Sequence, residues 1–238
     1  VGVITNVSYA HAKNFKNVKQ IALAKSEIMN NINENGSIVL NADDKFYRLL
    51  NRIALKKKIK VYSFSMKKKN ANVRLNYVKK EKSKFKMSIY FGNKKKYFFI
   101  SSNFENNIKN LLAAITVISI FKNIETLNKN IFYNFNILEG RGDISKIKIK
   151  KKNIFLIDES YNSNPLSLNS AIKNFDLIEG KKNKKHLILG DMLELGKHSK
   201  KLHENLAKYI NTSKIDNVYV YGNNIKHTFN KIIPKKRG

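Results

Sequence analysis

Hydrophobic and polar residues alternate along the first part of the chain in blocks that predict strands and helices in turn. Residues 1–7 predict a buried strand, and apolar positions at helical spacing from 18 to 32 predict a helix. Residues 37–44 predict a second strand that runs into a turn, followed by a short helix at 45–55 and a third strand at 60–65. Strands that alternate with helices in this way predict a parallel sheet.

The middle of the chain has a different pattern. Residues 73–77 and 85–91 alternate between polar and apolar side chains, and the pair Gly92 and Asn93 predicts a turn into a further strand. We expect these strands to form antiparallel hairpins at the edge of the parallel sheet. A long helix is predicted at 105–121.

The alternation of strands and helices starts again after residue 143. Strands are predicted at 154–157, 186–189 and 218–221, with helices at 165–175 and 199–210 between them. The predicted fold class is therefore α/β with two doubly wound domains. We expect residues 1–143 to form the domain with edge hairpins and residues 144–238 to form a Rossmann-like domain.

Composition narrows the class of protein. The hydrophobic fraction is 42% and falls in short blocks, which excludes a disordered chain and gives no apolar run long enough for a membrane span. The chain has no cysteine, which excludes disulfides and cysteine-based zinc sites. We expect a cytoplasmic protein without a membrane span.

The charge balance suggests one competing function. Forty-seven Lys and Arg residues against 17 Asp and Glu give a formal net charge of +30, which taken alone would indicate a nucleic-acid partner. Nearly all of the excess is lysine, whereas base recognition favours the planar guanidinium of arginine. We therefore interpret the excess as a solvated lysine surface and expect no specific nucleic-acid partner, with non-specific polyanion binding at low salt as a side effect.

The segment IDESYNSNP at 157–165 is the strongest candidate for chemistry. It places two acidic residues at the carboxyl end of a predicted buried strand, where open α/β sheets bind ligands. Asp158 could hold a ribose hydroxyl. Four residues could bind polar substrate groups, or equally could form a turn and cap the next helix: Ser160, Tyr161, Asn162 and Asn164.

This segment resembles a signature of the Mur ligase family, in particular of the ligases that add D-alanyl-D-alanine. Other segments resemble the same family in order and spacing: TNVSYAH, IALAKSEI, LNADD, ENNIKNLLAA, LEGRGD and LGDMLELGKHS. Together they span nearly the whole chain. The assignment within the family depends mainly on SYNSNP and GDMLELG.

The resemblance implies ATP-dependent amide-bond formation in the synthesis of the peptidoglycan precursor. The implied substrates are UDP-N-acetylmuramoyl-tripeptide and D-alanyl-D-alanine, and the implied cofactors are ATP and Mg²⁺. A substrate carboxylate would be activated as an acyl phosphate and then attacked by an amine, and this chemistry needs a divalent cation and oriented donors around the phosphates. A monomer is expected.

Two residues match catalytic positions of the family. His11 matches a histidine that helps bind magnesium, and Lys25 matches a lysine that is carbamylated in several relatives and then lies near the metal. The pattern also places Lys25 on the apolar face of its helix, where an ammonium group would need a partner or a modification.

Nucleotide contacts are implied at three further positions. Asn107 and Asn110 lie three residues apart at the start of a predicted helix, so both can point toward one ligand, although they could also cap the helix. The family commonly has His before the first of these asparagines, whereas this chain has Asn106. Arg141, between two glycines, matches an arginine that contacts the nucleotide at the interdomain hinge.

The segment GDMLELGKHSKKLHE at 190–204 offers a last group of candidates. Asp191, Glu194 and His203 could approach the substrate, or the segment could instead provide a helix cap at Ser199. In LNADD, Asp43 and Asp44 are predicted to be turn residues.

The 238 residues contain no GxxxxGKS/T phosphate-binding loop, although the implied chemistry depends on one. The resemblance implies that this loop precedes Val1 and that the family's final strands and helix follow residue 238. We therefore expect an internal fragment that is inactive alone. Another Mur ligase or a folylpolyglutamate synthase remains an alternative, as does a basic nucleic-acid-binding module.

Overall fold

The computed structural model describes residues 1–10, 12–133, 139–150, 152–178 and 183–238. Contacts divide the chain into two compact units, one formed by residues 1–7 and 17–135 and the other by residues 8–16 and 136–238. The α/β class is confirmed by strands and helices that alternate in both units. The boundary at residue 143 stays a prediction.

The first unit is built on a six-stranded sheet with strands in sequence order. Its parallel part contains β1 (Gly2–Ile4), β2 (Ser37–Asn41) and β3 (Lys60–Ser65), and β4 (Val73–Glu81) joins β3 in parallel. The antiparallel part adds β5 (Lys84–Phe91) and β6 (Lys94–Ile100) beside β4, as the hairpin prediction expected. We call β4, β5 and β6 together the meander.

Three helices cover the first sheet: α1 (Val18–Ser26), α2 (Tyr47–Lys56) and α3 (Glu105–Phe121). Along β2, Val39 belongs to the core cluster under α3, so Ile38 and Leu40 face the opposite side of the sheet. All three side chains are fully buried. The parallel strands are therefore covered on both faces, which explains their continuous apolar sequences.

The first predicted helix is shorter than the pattern indicated. It ends at Ser26 and continues as a 3₁₀ helix over Glu27–Asn31. Ser26 rather than Lys25 turns toward the core, and Lys25 is exposed. The prediction that Lys25 lies on the apolar face was wrong. Ser26 follows Ala22 by four residues, so helical spacing places Ser26 on that face and Lys25 beside it.

The second unit contains two separate pairs of strands. The parallel pair is β9 (His186–Gly190) with β10 (Asn217–Tyr221), and the antiparallel pair is β7 (Asp143–Ile149) with β8 (Lys152–Asp158). The strand predicted at 154–157 exists, but the expectation that it is a buried member of the parallel sheet was wrong. Its described hydrogen-bond partner is β7, and Phe155 is 61% exposed.

The helices of the second unit are α4 (Pro165–Leu177), α5 (Ser199–Thr212) and the short α6 (Lys226–Phe229). Their inner faces form one core with alternate residues of β9 and β10, including Ile172, Leu189, Leu206 and Val218. A 3₁₀ turn at Ala12–Asn14 also contacts the turn at Gly196–His198 within this unit. Residues 8–16 therefore pack with a domain that begins far later in the sequence.

No helix in the described part of the chain has both the length and the apolar composition that crossing a bilayer requires.

Candidate functional site

The candidate site in the second unit is a pair of loops at the end of the β7–β8 hairpin. The backbone N–H of Gly142 donates to the carbonyl oxygen of Asp158 at 2.6 Å, and the N–H of Tyr161 donates to the carbonyl oxygen of Gly140 at 3.1 Å. These bonds join residues 139–143 to residues 158–164. We call the joined segments the double loop.

Two glycines allow the segments of the double loop to approach each other. Gly140 and Gly142 have φ angles of 72° and 93°, in the left-handed region that other residues rarely adopt. A β carbon at Gly140 would lie 3.0 Å from the β carbon of Tyr161, and one at Gly142 would lie 3.0 Å from Oε1 of Glu159. The spacing of glycines in EGRGD is therefore needed for the backbone conformation.

Three carboxylates and one guanidinium group meet in the double loop. Asp143 accepts a hydrogen bond from the N–H of Gly140 at 2.7 Å, and Asp158 accepts one from the N–H of Ser160 at 2.8 Å. Hydrogen bonds from the side chain and backbone of Ser160 lower the pKa of Asp158. The Asp158 carboxylate is therefore ionised near neutral pH and can accept further hydrogen bonds.

Glu159 has the opposite behaviour. Partial desolvation raises the pKa of Glu159, the negative charges of Asp158 and Asp143 raise it further, and the positive charge of Arg141 opposes them. Sequence reasoning missed Asp143 and Glu159 as members of this cluster. The signal was present, because Asp143 begins β7 and Asp158 ends β8, but the pairing of these two strands was not predicted.

Arg141 and Tyr161 form the exposed surface of the double loop. The guanidinium carbon lies 4.3 Å from the centre of the tyrosine ring, a cation–π geometry, and Tyr161 is 68% exposed. A planar cation on an exposed aromatic ring, next to an ionised carboxylate, presents groups that suit a ligand with a ring, hydroxyls and phosphates. Arg141, Asp158, Ser160 and Tyr161 are thus brought together.

The asparagines after Tyr161 differ in role. Asn164 is the N-cap of α4, and its carboxamide oxygen accepts the N–H groups of Leu166 at 3.0 Å and Ser167 at 3.1 Å. Ser167 completes a capping box by accepting the N–H of Asn164. Only the amide nitrogen of Asn164 is left for a substrate. Asn162 is exposed on the loop.

Asp191 holds the turn after β10 in place. Its carboxylate accepts the N–H groups of Ile225 at 2.7 Å and Asn223 at 3.2 Å. Burial alone would raise the pKa of Asp191, but the hydrogen bonds, led by that from Ile225, outweigh burial and lower it. Gly222 passes so close that a β carbon there would collide with this carboxylate. The contacts support a structural role for Asp191 within the unit.

His203 and Glu194 complete the same region. His203 is fully buried: its Nε2 accepts the N–H of Met192 at 3.0 Å, and its Nδ1 lies 2.8 Å from the carbonyl oxygen of Ser199. This pattern requires the neutral ring with its proton on Nδ1, and burial lowers the pKa of His203 accordingly.

Glu194 is exposed and has a φ of 58°. Ser199 is not a side-chain cap, because α5 starts at it after an N-cap residue that makes no side-chain cap bond.

The acidic residues of LNADD in the first unit act as turn residues, as expected. Asp44 accepts the N–H groups of Val7 and Phe46 at 2.7 and 2.8 Å, and Asp43 accepts the hydroxyl of Ser65 and the N–H of Met66. These bonds tie the carboxyl ends of β1, β2 and β3 together. The edge at which α/β sheets bind ligands is therefore held by hydrogen bonds within the unit itself.

The remaining candidates of the first unit lie on its helices. Asn107 and Asn110 are in the first turns of α3, where Asn107 donates to the hydroxyl of Ser102 at 3.1 Å and Asn110 is exposed. Lys25 is exposed in the last turn of α1. His11 lies outside the described residues. Within the described ranges, no group of three His, Cys, Asp or Glu side chains is arranged to hold a metal ion.

Comparison with known proteins gives two matches to family models. Residues 1–118 match the Mur ligase middle domain, and residues 145–235 match the glutamate ligase domain of Mur ligases. The chain is 30% identical over 240 residues to the UDP-N-acetylmuramoyl-tripeptide--D-alanyl-D-alanine ligase of Rickettsia prowazekii. The alignment covers 99% of this chain and 51% of the relative. The chain thus spans about half the length of the curated relatives that it matches.

Solved structures show the same fold. A MurF crystal structure from Acinetobacter baumannii superposes with a TM-score of 0.84 at 21% identity, over 99% of this chain and 49% of that one. MurF ligase from Thermotoga maritima in complex with ADP superposes with a TM-score of 0.82 at 21% identity, over 100% of this chain and 52% of that one.

Proposed function

We propose, from the premise that this chain belongs to the Mur ligase family, that it is part of an ATP-dependent ligase that adds D-alanyl-D-alanine to UDP-N-acetylmuramoyl-tripeptide. The observation that supports this activity is a similarity to ligases so named that extends over nearly the whole chain. The segments DESYNSNP and GDMLELG belong to the second unit and support the same member of the family. The reaction would take place in the cytoplasm, and we expect a monomer.

The double loop is the proposed nucleotide-binding element of this chain. ATP, when bound, would supply the phosphoryl group that activates a substrate carboxylate. The ionised carboxylate of Asp158 would accept the hydroxyls of a ribose, and the guanidinium of Arg141 would pair with phosphate oxygens through its planar fork. The structure of the Thermotoga maritima relative contains ADP, which supports a nucleotide as ligand. Asn107 and Asn110 are proposed as further nucleotide contacts.

Magnesium and the two catalytic positions stay proposals. The described residues show no set of ligands that fits a divalent cation, so no step is derived through one. His11 and, if carbamylated, Lys25 are proposed as ligands. The exposed position of Lys25 leaves its amino group accessible to carbon dioxide, which adds to the neutral amine with loss of one proton.

The acceptor dipeptide is proposed to contact the polar side chains that follow Asp158. Ser160, Tyr161 and Asn162 are exposed and available to it. Glu194 is proposed for the same role. The bonds of Asp191 to Ile225 and Asn223 favour a supporting part in the folding of this region.

Acceptor profiling tests the proposed substrate. The longest natural reading frame that contains these residues is purified and assayed for ATP-dependent ligation with different amines. D-alanyl-D-alanine should be strongly preferred over D-glutamate, L-lysine and folate substrates. Preference for one of the others would replace the proposal by another Mur ligase or a folylpolyglutamate synthase. The 238 residues alone should give no ligation, because they contain no phosphate-binding loop.

A substitution pair tests the nucleotide contact. Arg141→Lys keeps the charge and removes the planar fork, so the KM for ATP should rise by about tenfold, the effect of roughly 1.4 kcal/mol. Lys197→Gln removes an exposed charge of the same unit and should leave the KM for ATP unchanged. An unchanged KM in Arg141→Lys, with ligation intact, would exclude Arg141 as a nucleotide contact and leave the family assignment untouched.

A further inference from the structure

The outer face of the meander differs from every other sheet surface described above. Along β5, Lys84, Lys86, Ser88 and Tyr90 alternate with residues that face the core. Met87 and Ile89 are fully buried there, Phe85 and Phe91 are partly buried, and on the outer face the small Ser88 is covered by its neighbours. The alternation of lysine with apolar side chains in KFKMSIYF therefore produces one dry face against α3 and one face of cations and aromatic rings.

Strand register arranges these side chains in rows across the meander. Arg74 of β4 pairs with Tyr90 of β5, which pairs with Lys95 of β6. In the next row Tyr77 pairs with Ser88, which pairs with Tyr97. Side chains in such a row lie about 5 Å apart. Four aromatic rings thus share the outer face: Tyr77, Tyr90, Tyr97 and Phe99.

Cations lie directly over these rings. The guanidinium carbon of Arg74 is 4.0 Å from the centre of the Tyr90 ring, and the ammonium of Lys84 is 3.5 Å from the centre of the Phe99 ring. Tyr97 has two cations near it, those of Lys86 at 4.4 Å and Lys129 at 4.6 Å. A hydrogen bond with Lys129 and the positive charges of Lys129 and Lys86 lower the pKa of Tyr97, as expected on a surface of positive potential.

The meander is strongly basic as a whole. Five of the eight lysine or arginine residues in its strands lie on the outer face by strand register: Arg74, Lys79, Lys84, Lys86 and Lys95. The strands contain a single acid, Glu81, which pairs with Lys86 at 3.5 Å. A partner that complements this face must therefore be anionic along its length. It must also offer flat surfaces to the rings, because the aromatic side chains lie in rows between the cations.

We propose that the outer face of the meander binds single-stranded nucleic acid without base selectivity. Phosphates would pair with the lysines, and unpaired bases would stack on Tyr97, Phe99 and Tyr90 after the lysine side chains move aside. A sheet face with aromatic and basic side chains is a common platform for single strands. Duplex is disfavoured because its bases are already stacked. A bilayer is disfavoured because the aliphatic side chains of the meander, such as Ile89, are buried.

Binding is measured by fluorescence anisotropy of a labelled oligo(dU) of about 12 nucleotides, the upper range of sites on such platforms. The chain is titrated at increasing salt, with a duplex of the same length, polyglutamate and anionic phosphatidylserine vesicles as separate arms. The single strand should bind more tightly than the duplex at physiological salt. Equal or tighter duplex binding would overturn the proposal, as would equal binding of polyglutamate or of the vesicles.

Substitutions that remove rings and keep charge isolate the stacking contribution. Tyr97→Leu with Phe99→Leu should weaken oligo(dU) binding by about tenfold or more. The matched control, Tyr219→Leu with Tyr221→Leu, removes two exposed rings of the second unit and should have no effect. If the first pair disturbs the fold by circular dichroism, Tyr90→Leu, at a partly exposed side chain that is also proposed to stack, provides the same test. Equal losses in the variant and its control would overturn the proposal.

Substitutions that remove charge isolate the phosphate contacts. Lys86→Gln with Lys95→Gln should reduce the slope of log affinity against log salt by about 1.4, since each lost contact to a single strand contributes about 0.7. Lys56→Gln with Lys57→Gln removes the same charge from the end of α2 and should leave the slope unchanged. If both pairs reduce the slope equally, binding reflects only the net charge of the chain and the proposed face is wrong.

Discussion

The role of Asp191 can be decided by substitution, because a structural role and a substrate-binding role predict different results. Its carboxylate accepts the N–H of Ile225 at 2.7 Å and that of Asn223 at 3.2 Å, and the amide of Asn224 lies at 3.4 Å. A hydrogen bond to a charged group contributes roughly 1.5–3 kcal/mol. Only the first of these bonds is short, and water reaches the half-buried carboxylate, so Asp191→Ala should cost about 2 kcal/mol.

Acidity provides a second, independent measure. The pKa of Asp191 is lowered in the folded chain, so its stabilising contribution is present above the unfolded pKa of about 3.9 and is lost as pH falls through the lower folded pKa. The difference between wild type and Asp191→Ala should therefore be complete at pH 7 and should shrink in strong acid. Asp191→Asn keeps one acceptor oxygen and should cost about half as much at pH 7.

The assay is urea unfolding followed by circular dichroism, together with hydrogen exchange of the Ile225 amide at neutral pH. That amide should exchange faster in both variants, because it loses its acceptor. Leu193→Ala is the control, since this side chain is 72% exposed in the same loop and should change stability by less than about 0.5 kcal/mol. Wild-type stability and unchanged Ile225 exchange in Asp191→Ala would refute the structural role and restore Asp191 as a substrate contact.

Three further outcomes follow from described contacts. Asn164→Ala removes the N-cap of α4 and should lower the free energy of unfolding by about 1 kcal/mol in urea titrations, whereas Asn164→Ser should restore most of it. Phe98→Ala empties a fully buried position under α3 and should cost about 3–5 kcal/mol in the same assay. The lowered pKa of His203 makes the neutral ring the stable form, so the second unit should lose stability as pH falls below about 6.5, and His203→Gln should reduce this dependence in thermal melts across pH.

The elements that local pattern determines were predictable. The long helix at 105–121 and the strand at 85–91 have apolar residues at regular helical or alternating spacing, and the structure has α3 and β5 at those places. Pro165 and the capping residue before it also determine the start of α4 locally.

The elements that depend on distant contacts were not predictable. β7 was missed because four of its seven residues are polar and its partner comes after a turn that the pattern did not indicate. Within the candidate site, the closeness of Arg141 to Tyr161 depends on that same pairing, and the commitment of Asp191 to the Ile225 amide depends on a loop 34 residues away. Local sequence identified these side chains as polar loop residues, but only the pairing shows which of them meet.

Residues 8–16 pack with residues 136–238 in the second unit, and this matters when the two units are expressed as separate polypeptides. The backbone of Gly196 approaches that of Lys13 so closely that a β carbon at Gly196 would lie 3.0 Å from the Lys13 α carbon. A polypeptide that begins near residue 136 would therefore lack residues 8–16, which belong to the same unit. Supplying a synthetic peptide of residues 8–16 in trans should protect such a truncated product from proteolysis.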